Sequence, residues 1–554
     1  MSVPMPHPST DTGRPRSRRA RRSAGALAGA LLLGATAALV ALDAAGGSGA
    51  EPLEFPTPVA EVPAGNHTVV CTGPLRLPDS TVPDSTVPGG AFPGGDPAFS
   101  PVSSTARTLV SAMVLSDPGG SLPANALVPL GSGAPVPVPG EVPGTGSASA
   151  AAPVGSGNGA PRAAGVLRGS AVDAPAVFRA DPGGAPAPVA GAMLTYTAGD
   201  GDLRGLATST CQQPSNDVLL LGGATGVGDS SILVLTNPTE TPAAVDLELF
   251  GAAGPVTAGT GSHLVPPGES RRVVLGGVAG SQEQLAVRVH SDGGRISAVV
   301  QQSVLRGLTP GGVELLAPSA PAAAAQVIPG VVIQAMDTAA AIRGQEGYAA
   351  ASPALQVLVP GGSDAVLDVR IFGAGGEAPL PGGGVVTAAA GSVSTIPLDH
   401  LAEGSYTVSV TSDVPVAASA RVSRGITAGA PVDFGNAPAS ERLGSGHAAV
   451  LADGTDVHFV FGAPEGGAEV TITPVGADGA LRDPQLVDVA GGTSVTIPAS
   501  SFGPDAAAVI VSAAGDPVFG AQVATLGGDT AGVSVTAIPD AAVSTRTIPV
   551  ELRY

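Results

Sequence analysis

Alternating apolar and polar residues write the same β-strand three times in the C-terminal two-thirds of this chain. The first copy reads VDLELFGAAG from Val245 to Gly254 and the second LDVRIFGAGG from Leu367 to Gly376; a weaker third, AEVTITP, runs from Ala468 to Pro474. Val245, Leu247 and Leu249 alternate with Asp246 and Glu248, as Leu367, Val369 and Ile371 do with Asp368 and Arg370. A period of two with one apolar face predicts a strand packed on a core from one side. Two further blocks follow each copy in the same order. PGESRRVVL, AGSVSTIPL and GGTSVTIPA align on Gly268, Gly391 and Gly492; LAVRVHSDGG, YTVSVTSDVP and AAVIVSAAGDP align on Ser291, Ser412 and Ser512.

The set recurs at spacings of about 122 and then about 101 residues, too long for a solenoid unit and long enough for each copy to enclose a core. Each copy offers about seven short strands separated by turn signals, the pattern of an immunoglobulin-like or fibronectin-like β-sandwich. Ser291-Asp292-Gly293-Gly294 predicts a hairpin turn. The fold expected is therefore mostly β, a tandem of such sandwiches, with repeats over residues 217–325, 326–437 and 438–548. Residues 52–216 read as a separate N-terminal β-domain carrying a Pro/Gly-rich flexible insertion over about 78–162. Within that insertion Thr108 to Leu115 and Ala126 to Leu130 have strand character.

The N-terminus changes the picture from fold to compartment. Six arginines fall within residues 1–22, and the run from Ser23 to Leu42 holds 20 residues without a charge. Positive charge ahead of such a run places residues 1–22 in the cytoplasm and exports the rest. Residues 23–45 are then either a transmembrane helix, being long enough to span a bilayer, or a signal sequence cleaved near Ser48-Gly49-Ala50. Beyond residue 50 the chain keeps 19 arginines against 43 acidic residues, a net charge of −24. That balance disfavours nucleic acid and anionic lipid as partners and leaves the N-terminal helix as the membrane contact. No lysine occurs anywhere in the sequence, which rules out Schiff-base and P-loop lysine chemistry.

Cys71 and Cys211 are the two cysteines of the chain. Outside the cytosol an isolated pair reads as a disulfide, and closing a loop of this size is worth about 5 kcal/mol in the chain-entropy description. Catalytic motifs are missing: there is no G-x-S-x-G and no H-E-x-x-H, and the seven histidines stand isolated in sequence. His290 reads as a solvent-facing strand residue. The glycine run Gly222 to Ser231 follows a strand and precedes another, which predicts a hairpin loop rather than a phosphate cradle. Asp200 and Asp202 offer oxygens of the kind calcium takes, but with no further acidic residues at defined spacing they read as a surface turn. Tyr406 reads as core, and with no tryptophan in the sequence a sugar site would have to rest on polar side chains.

The Arg-rich start with one hydrophobic segment, the early VVCTGP, the LTNPTETPAAVDLELFGAAGPV stretch and the PPGESRRVVL and LAVRVHS blocks together resemble a family. It is a family of actinobacterial exported, membrane-anchored proteins labelled only as a domain of unknown function. Its motifs are structural, so the resemblance carries over no catalytic, cofactor or metal residue. It implies a setting near surface-polysaccharide biology. The expected function is a non-enzymatic, extracytoplasmic cell-envelope protein, a spacer or interaction scaffold with envelope proteins as partners. The alternative is a glycan-binding accessory to an envelope polysaccharide pathway, with cell-wall glycans as partners.

Overall fold

A computed structural model describes residues 59–61, 65–77, 101–117, 120–131, 133–139, 163–182, 188–257, 261–348, 351–528, 530–541 and 547–549. The expected cytoplasmic segment and the hydrophobic segment at 23–45 lie outside the described residues, as does most of the expected insertion. Among the described residues no helix is long and apolar enough to cross a membrane. The chain divides into two units. In the smaller one, β1 (Val59–Glu61) pairs antiparallel with β34 (Thr547–Pro549). All that follows concerns the larger unit, Val62–Arg546.

That unit contains four sandwiches of one topology. In the first, β2 (His67–Cys71), β6 (Ala176–Ala180) and β4 (Asn125–Pro129) form one sheet. Its partner sheet runs β5 (Ala164–Ala171), β3 (Arg107–Leu115), β7 (Ala190–Ala198) and β8 (Gly205–Thr210). In the second, β9 (Asp217–Gly223), β15 (Leu285–Gly293), β11 (Ala243–Gly251) and β12 (Gly254–Val256) form one sheet, with β13 (His263–Val265) also on β11. The other runs β14 (Ser270–Val274), β10 (Asp229–Thr236), β16 (Ser297–Arg306) and β17 (Thr309–Leu316).

The third sandwich fuses two of these positions. Its β24 (Gly404–Gly425) crosses both sheets, pairing through its first half with β18 (Ala323–Ile333) and β20 (Ala365–Gly373). Short strands β21 (Gly376–Ala378) and β22 (Val385–Ala388) extend β20. Through its second half β24 pairs with β19 (Ala354–Leu358), which carries β23 (Val393–Pro397), and with β25 (Val432–Pro438). The fourth places β26 (His447–Val450), β31 (Ala506–Gly515), β28 (Ala468–Gly476) and β29 (Gln485–Val489) against β30 (Thr493–Pro498), β27 (Asp456–Ala463), β32 (Phe519–Thr525) and β33 (Val533–Ala537).

The three sequence blocks occupy equivalent strands. The first block is β11, β20 and β28; the second β14, β23 and β30; the third β15, the first half of β24, and β31. Register agrees in the first two copies, where Val245 faces Ser291 and Leu367 faces Ser412, and shifts by three in the third, where Ser512 faces Thr471. The aligned glycines share one turn. Gly268, Gly391 and Gly492 sit at φ of 70°, 66° and 72°, and their N–H groups donate to the carbonyls of Asn237, Val359 and Ala463 at 2.9, 2.8 and 2.7 Å. A left-handed backbone at this corner favours glycine.

Two turn expectations are corrected. Ser291–Gly294 does not close a hairpin, because β15 and β16 lie in opposite sheets; it arches across the core. Gly222–Ser231 is likewise an arch, since β9 and β10 also lie in opposite sheets. The physical reason is that Val218 and Leu220 on one side and Leu233 and Leu235 on the other all point into one core, so the strands must face each other instead of pairing edge to edge. Part of the expected insertion is also structured. β3 is the second strand of its sheet, with Val110, Ala112, Met113 and Val114 fully buried.

Four apolar contacts join the sandwiches into a closed circle. The core of the first takes in Val299, Val313 and Leu315 of the second. Leu221, Phe250 and Ala286 of the second meet Leu358, Val393 and Ala417 of the third. The core of the third includes Val460, Ala521, Val523, Val533 and Val535 of the fourth. Met113, Met193 and Leu206 of the first pack on Val450, Ala508 and Ala524 of the fourth, which closes the circle.

The shared glycine turn supplies a direct test. A Cβ at Gly268 or Gly492 would meet no atom within 4 Å, so alanine there carries only the backbone cost. Gly268→Ala and Gly492→Ala should each destabilise by about 1 kcal/mol in chemical denaturation; unchanged midpoints would mean the turn tolerates a right-handed alternative.

Candidate functional site

Each sandwich presents one edge strand to the centre of the circle: β8, β17, β25 and β33 each end a sheet. Every second N–H of such an edge has no ladder partner and must find an acceptor elsewhere. The acceptors here are two carboxylates. Asp433 of β25 accepts from the N–H groups of Leu206 (2.8 Å), Val313 (3.0 Å) and Val533 (3.2 Å), one from each of the other three sandwiches, and from Phe434 beside it. Close approach is possible because Gly205 and Gly312 occupy the neighbouring strands, where a Cβ would fall 2.7 and 2.5 Å from the Asp433 carboxylate.

Two residues further along the strands the pattern repeats. Glu314 of β17 accepts from the N–H groups of Leu315 (2.8 Å) and Asn436 (3.1 Å) and from the Ser534 hydroxyl (2.9 Å). Ser534 in turn accepts from the Thr208 N–H at 2.9 Å. Asp433 and Glu314 are both 1% exposed. Burial pushes the Asp433 carboxyl up to about 7 against the pull of its backbone donors. Burial also holds Glu314 well above the usual carboxylate range, with Asp433 nearby adding to the rise. Their oxygens are engaged by main-chain donors and neither faces open space. The cluster is a junction.

Immediately beyond this junction lies a cavity of about 940 Å³. Its wall is made where the chain passes between sandwiches: Thr210–Gln213, Ala317–Ala322, Pro438–Glu441 and the closing segment Ala537–Asp540. His67, Asn436, Ser440, His447 and Thr536 line it and are buried. Each has at least one side-chain nitrogen or oxygen with no hydrogen-bond partner: both ring nitrogens of His67, Nδ1 of His447, Oδ1 of Asn436, and the hydroxyls of Ser440 and Thr536. Burial lowers the His67 pKa to about 4, with Asp540 acting in the opposite direction, so the ring is neutral at pH 7. Charge on the wall comes from Glu441, Asp540 and Asp217, with Arg288 paired to Asp217 at 2.7 Å.

The residues singled out in the sequence fall in different places. Cys71 and Cys211 form a disulfide, and Cys211 lies in the cavity wall. His290 is half exposed on β15, 3.7 Å from Asp292. Tyr406 is buried in the third sandwich and donates its hydroxyl to the Ala402 carbonyl. Asp200 accepts from the hydroxyls of Ser103 (2.5 Å) and Thr105 (2.7 Å) and from the Ser104 N–H (3.1 Å), which hold its carboxyl well below the usual range. Its oxygens staple residues 103–105. Among the described residues no three His, Cys, Asp or Glu side chains are grouped to hold a metal ion. Sequence reasoning missed Asp433, Glu314, His67 and His447. A single acid inside an apolar strand, as in GVELL and PVDFG, was the available signal for the first two.

Glu314 gives a pH-dependent prediction. A raised folded-state pKa contributes stability below the unfolded value and loses it as pH rises toward the folded value. Glu314→Gln removes that dependence while turning an amide donor toward a backbone donor, at a cost of about 1–3 kcal/mol. The gap between wild type and Glu314→Gln should therefore narrow as pH rises above the usual glutamate range toward the raised folded-state value. Denaturation midpoints at several pH values check this, and a gap that widens would reverse the assignment.

A family model described as a family of unknown function, DUF5719, matches residues 166–500. The match begins in β5 of the first sandwich and ends just after β30 of the fourth, so it takes in all the strands of the second and third. No curated protein and no solved structure matches the chain. Because the family match covers more than half of the sequence, the chain belongs to this family of unknown function, DUF5719.

Proposed function

We propose that this protein is a non-enzymatic, extracytoplasmic component of the cell envelope, a rigid interaction scaffold or spacer held at the membrane by residues 23–45. The observation that carries the reading is the junction at the centre of the circle. Two buried carboxylates are committed to edge amides of all four sandwiches, which suits a body built for stiffness. Buried and hydrogen-bonded throughout, they are poor candidates for attack on a substrate. The sandwiches are taken as immunoglobulin-like or fibronectin-like, a class whose loops and outer edges serve as binding surfaces without dedicated chemistry. The Cys71–Cys211 disulfide, closing a separation of 140 residues, suits an oxidising compartment. A second reading, a glycan-binding accessory of an envelope polysaccharide pathway, is favoured by the polar cavity beyond the junction.

Fractionation of the native cells tests the compartment and the anchor together. The expected result is recovery in the membrane fraction, digestion by protease added outside the membrane, and no reaction of Cys71 or Cys211 with a thiol reagent until a reductant is added. Recovery in the cytosol with two reactive thiols would end the reading.

A further inference from the structure

We propose that the axial cavity binds a neutral, hydroxyl-rich ligand the size of a mono- or disaccharide, held by His67, Asn436, Ser440, His447 and Thr536. This deepens the glycan reading and is independent of the scaffold role. Volume sets the first limit: about 940 Å³ lies near the upper end of the range for small-molecule sites. The second is hydrogen bonding. Five buried side chains have nitrogens or oxygens that no protein group satisfies, and leaving such groups unpaired is unfavourable. They come from different parts of the circle: His67 from the first sandwich, Asn436 from the third, His447 and Thr536 from the fourth, and Ser440 from the connector between the last two.

Charge then separates ligand classes. Arg288 is the cation on the wall among the described residues, and it already meets Asp217 through two hydrogen bonds at 2.7 and 3.1 Å. Glu441 and Asp540 add negative charge, so a phosphate or carboxylate would meet repulsion with no free cation to receive it. No Phe, Tyr or Trp lines the cavity among the described residues, so the large aromatic faces that stack planar heterocycles are missing from its wall. A neutral imidazole offers one donor and one acceptor, and an amide oxygen and two hydroxyls extend that set. Sugar hydroxyls, which both donate and accept, complement it. Because the donors and acceptors come from three sandwiches and a connector, the ligand would also bridge parts of the circle.

The test uses the full chain and ligand-observed NMR. The neutral probes are glucose, galactose, mannose, arabinose, N-acetylglucosamine and trehalose; glucuronate and a hexose phosphate are the anionic probes. At least one neutral sugar should bind, with the anionic probes weaker. Thr536→Val and Ser440→Ala remove hydroxyls that have no partner, so thermal stability of the free protein should hold or rise. Their combination should weaken sugar binding roughly tenfold. Failure of every neutral probe, equal or tighter binding of an anionic probe, or unchanged affinity in the double variant would each overturn the assignment. If the double variant unfolds, Ser440→Ala alone carries the test, with a smaller loss expected and no loss counting against the site. Failure here would leave the membrane location and the disulfide untouched, so the two readings fall separately.

Discussion

Four sheet edges meet at the centre of this protein, and the arrangement depends on what happens to their unpaired N–H groups. A sheet edge left open is a site for pairing with another chain, and a sheet edge buried without acceptors is destabilising. The usual remedies are charge, proline or a covering loop. Here the edges are turned toward one another and capped from within. Asp433 collects one N–H from each of the three facing strands, and Glu314 with Ser534 collects the N–H groups two residues further on. The alternation of the β-strand, which aims every second N–H outward, is what stacks these two layers along a single line.

This device couples regions far apart in sequence. Asp433 joins Leu206 to Val533 across 327 residues of chain, and it does so through hydrogen bonds to backbone, which no substitution in the partner strands other than proline removes directly. What substitution does threaten is space. Gly205 and Gly312 give the carboxylate its room, so the junction is specified by two glycines and one aspartate at matching positions of three strands. Two buried acids cost desolvation, and a protonated form relieves part of that cost. Retaining them, where an apolar contact would be cheaper, makes sense only if the edge amides need acceptors. Leucines in place of the two acids would leave six N–H groups in this region unserved.

The sequence made the repeating strand and its apolar face readable, because Val245, Leu247 and Leu249 alternate cleanly with acids and their counterparts do the same. The glycines at 268, 391 and 492 were readable as alignment points, and the structure explains them as one left-handed turn with one hydrogen bond. The first sandwich was not recognised as a fourth copy. Its equivalent of the first block is the five-residue β4, NALVP, too short to show a period, and the long stretches around it dilute the spacing. The arches at Gly222–Ser231 and Ser291–Gly294 were misread because glycine marks a reversal without saying whether the chain returns to the same sheet or crosses to the other. The cavity was invisible for a different reason. Seven histidines look isolated along the chain, and His67 and His447 are 380 residues apart.

Closure of the circle is what makes them neighbours of one cavity. His67 opens the first strand of the first sandwich and His447 the first strand of the last, so they occupy equivalent positions of β2 and β26. In an open row of four sandwiches these two positions would lie at opposite ends. Packing of Met113, Met193 and Leu206 against Val450, Ala508 and Ala524 brings the ends together and completes the wall. The disulfide then fixes the one connector that leaves the first sandwich, since Cys211 stands between β8 and the second sandwich and is tied to Cys71 at the end of β2. The junction, the disulfide and the closing contact act on the same feature from three directions. The cavity wall is therefore a product of the closed circle, drawn from connectors and strands that the junction, the disulfide and the closing contact hold together.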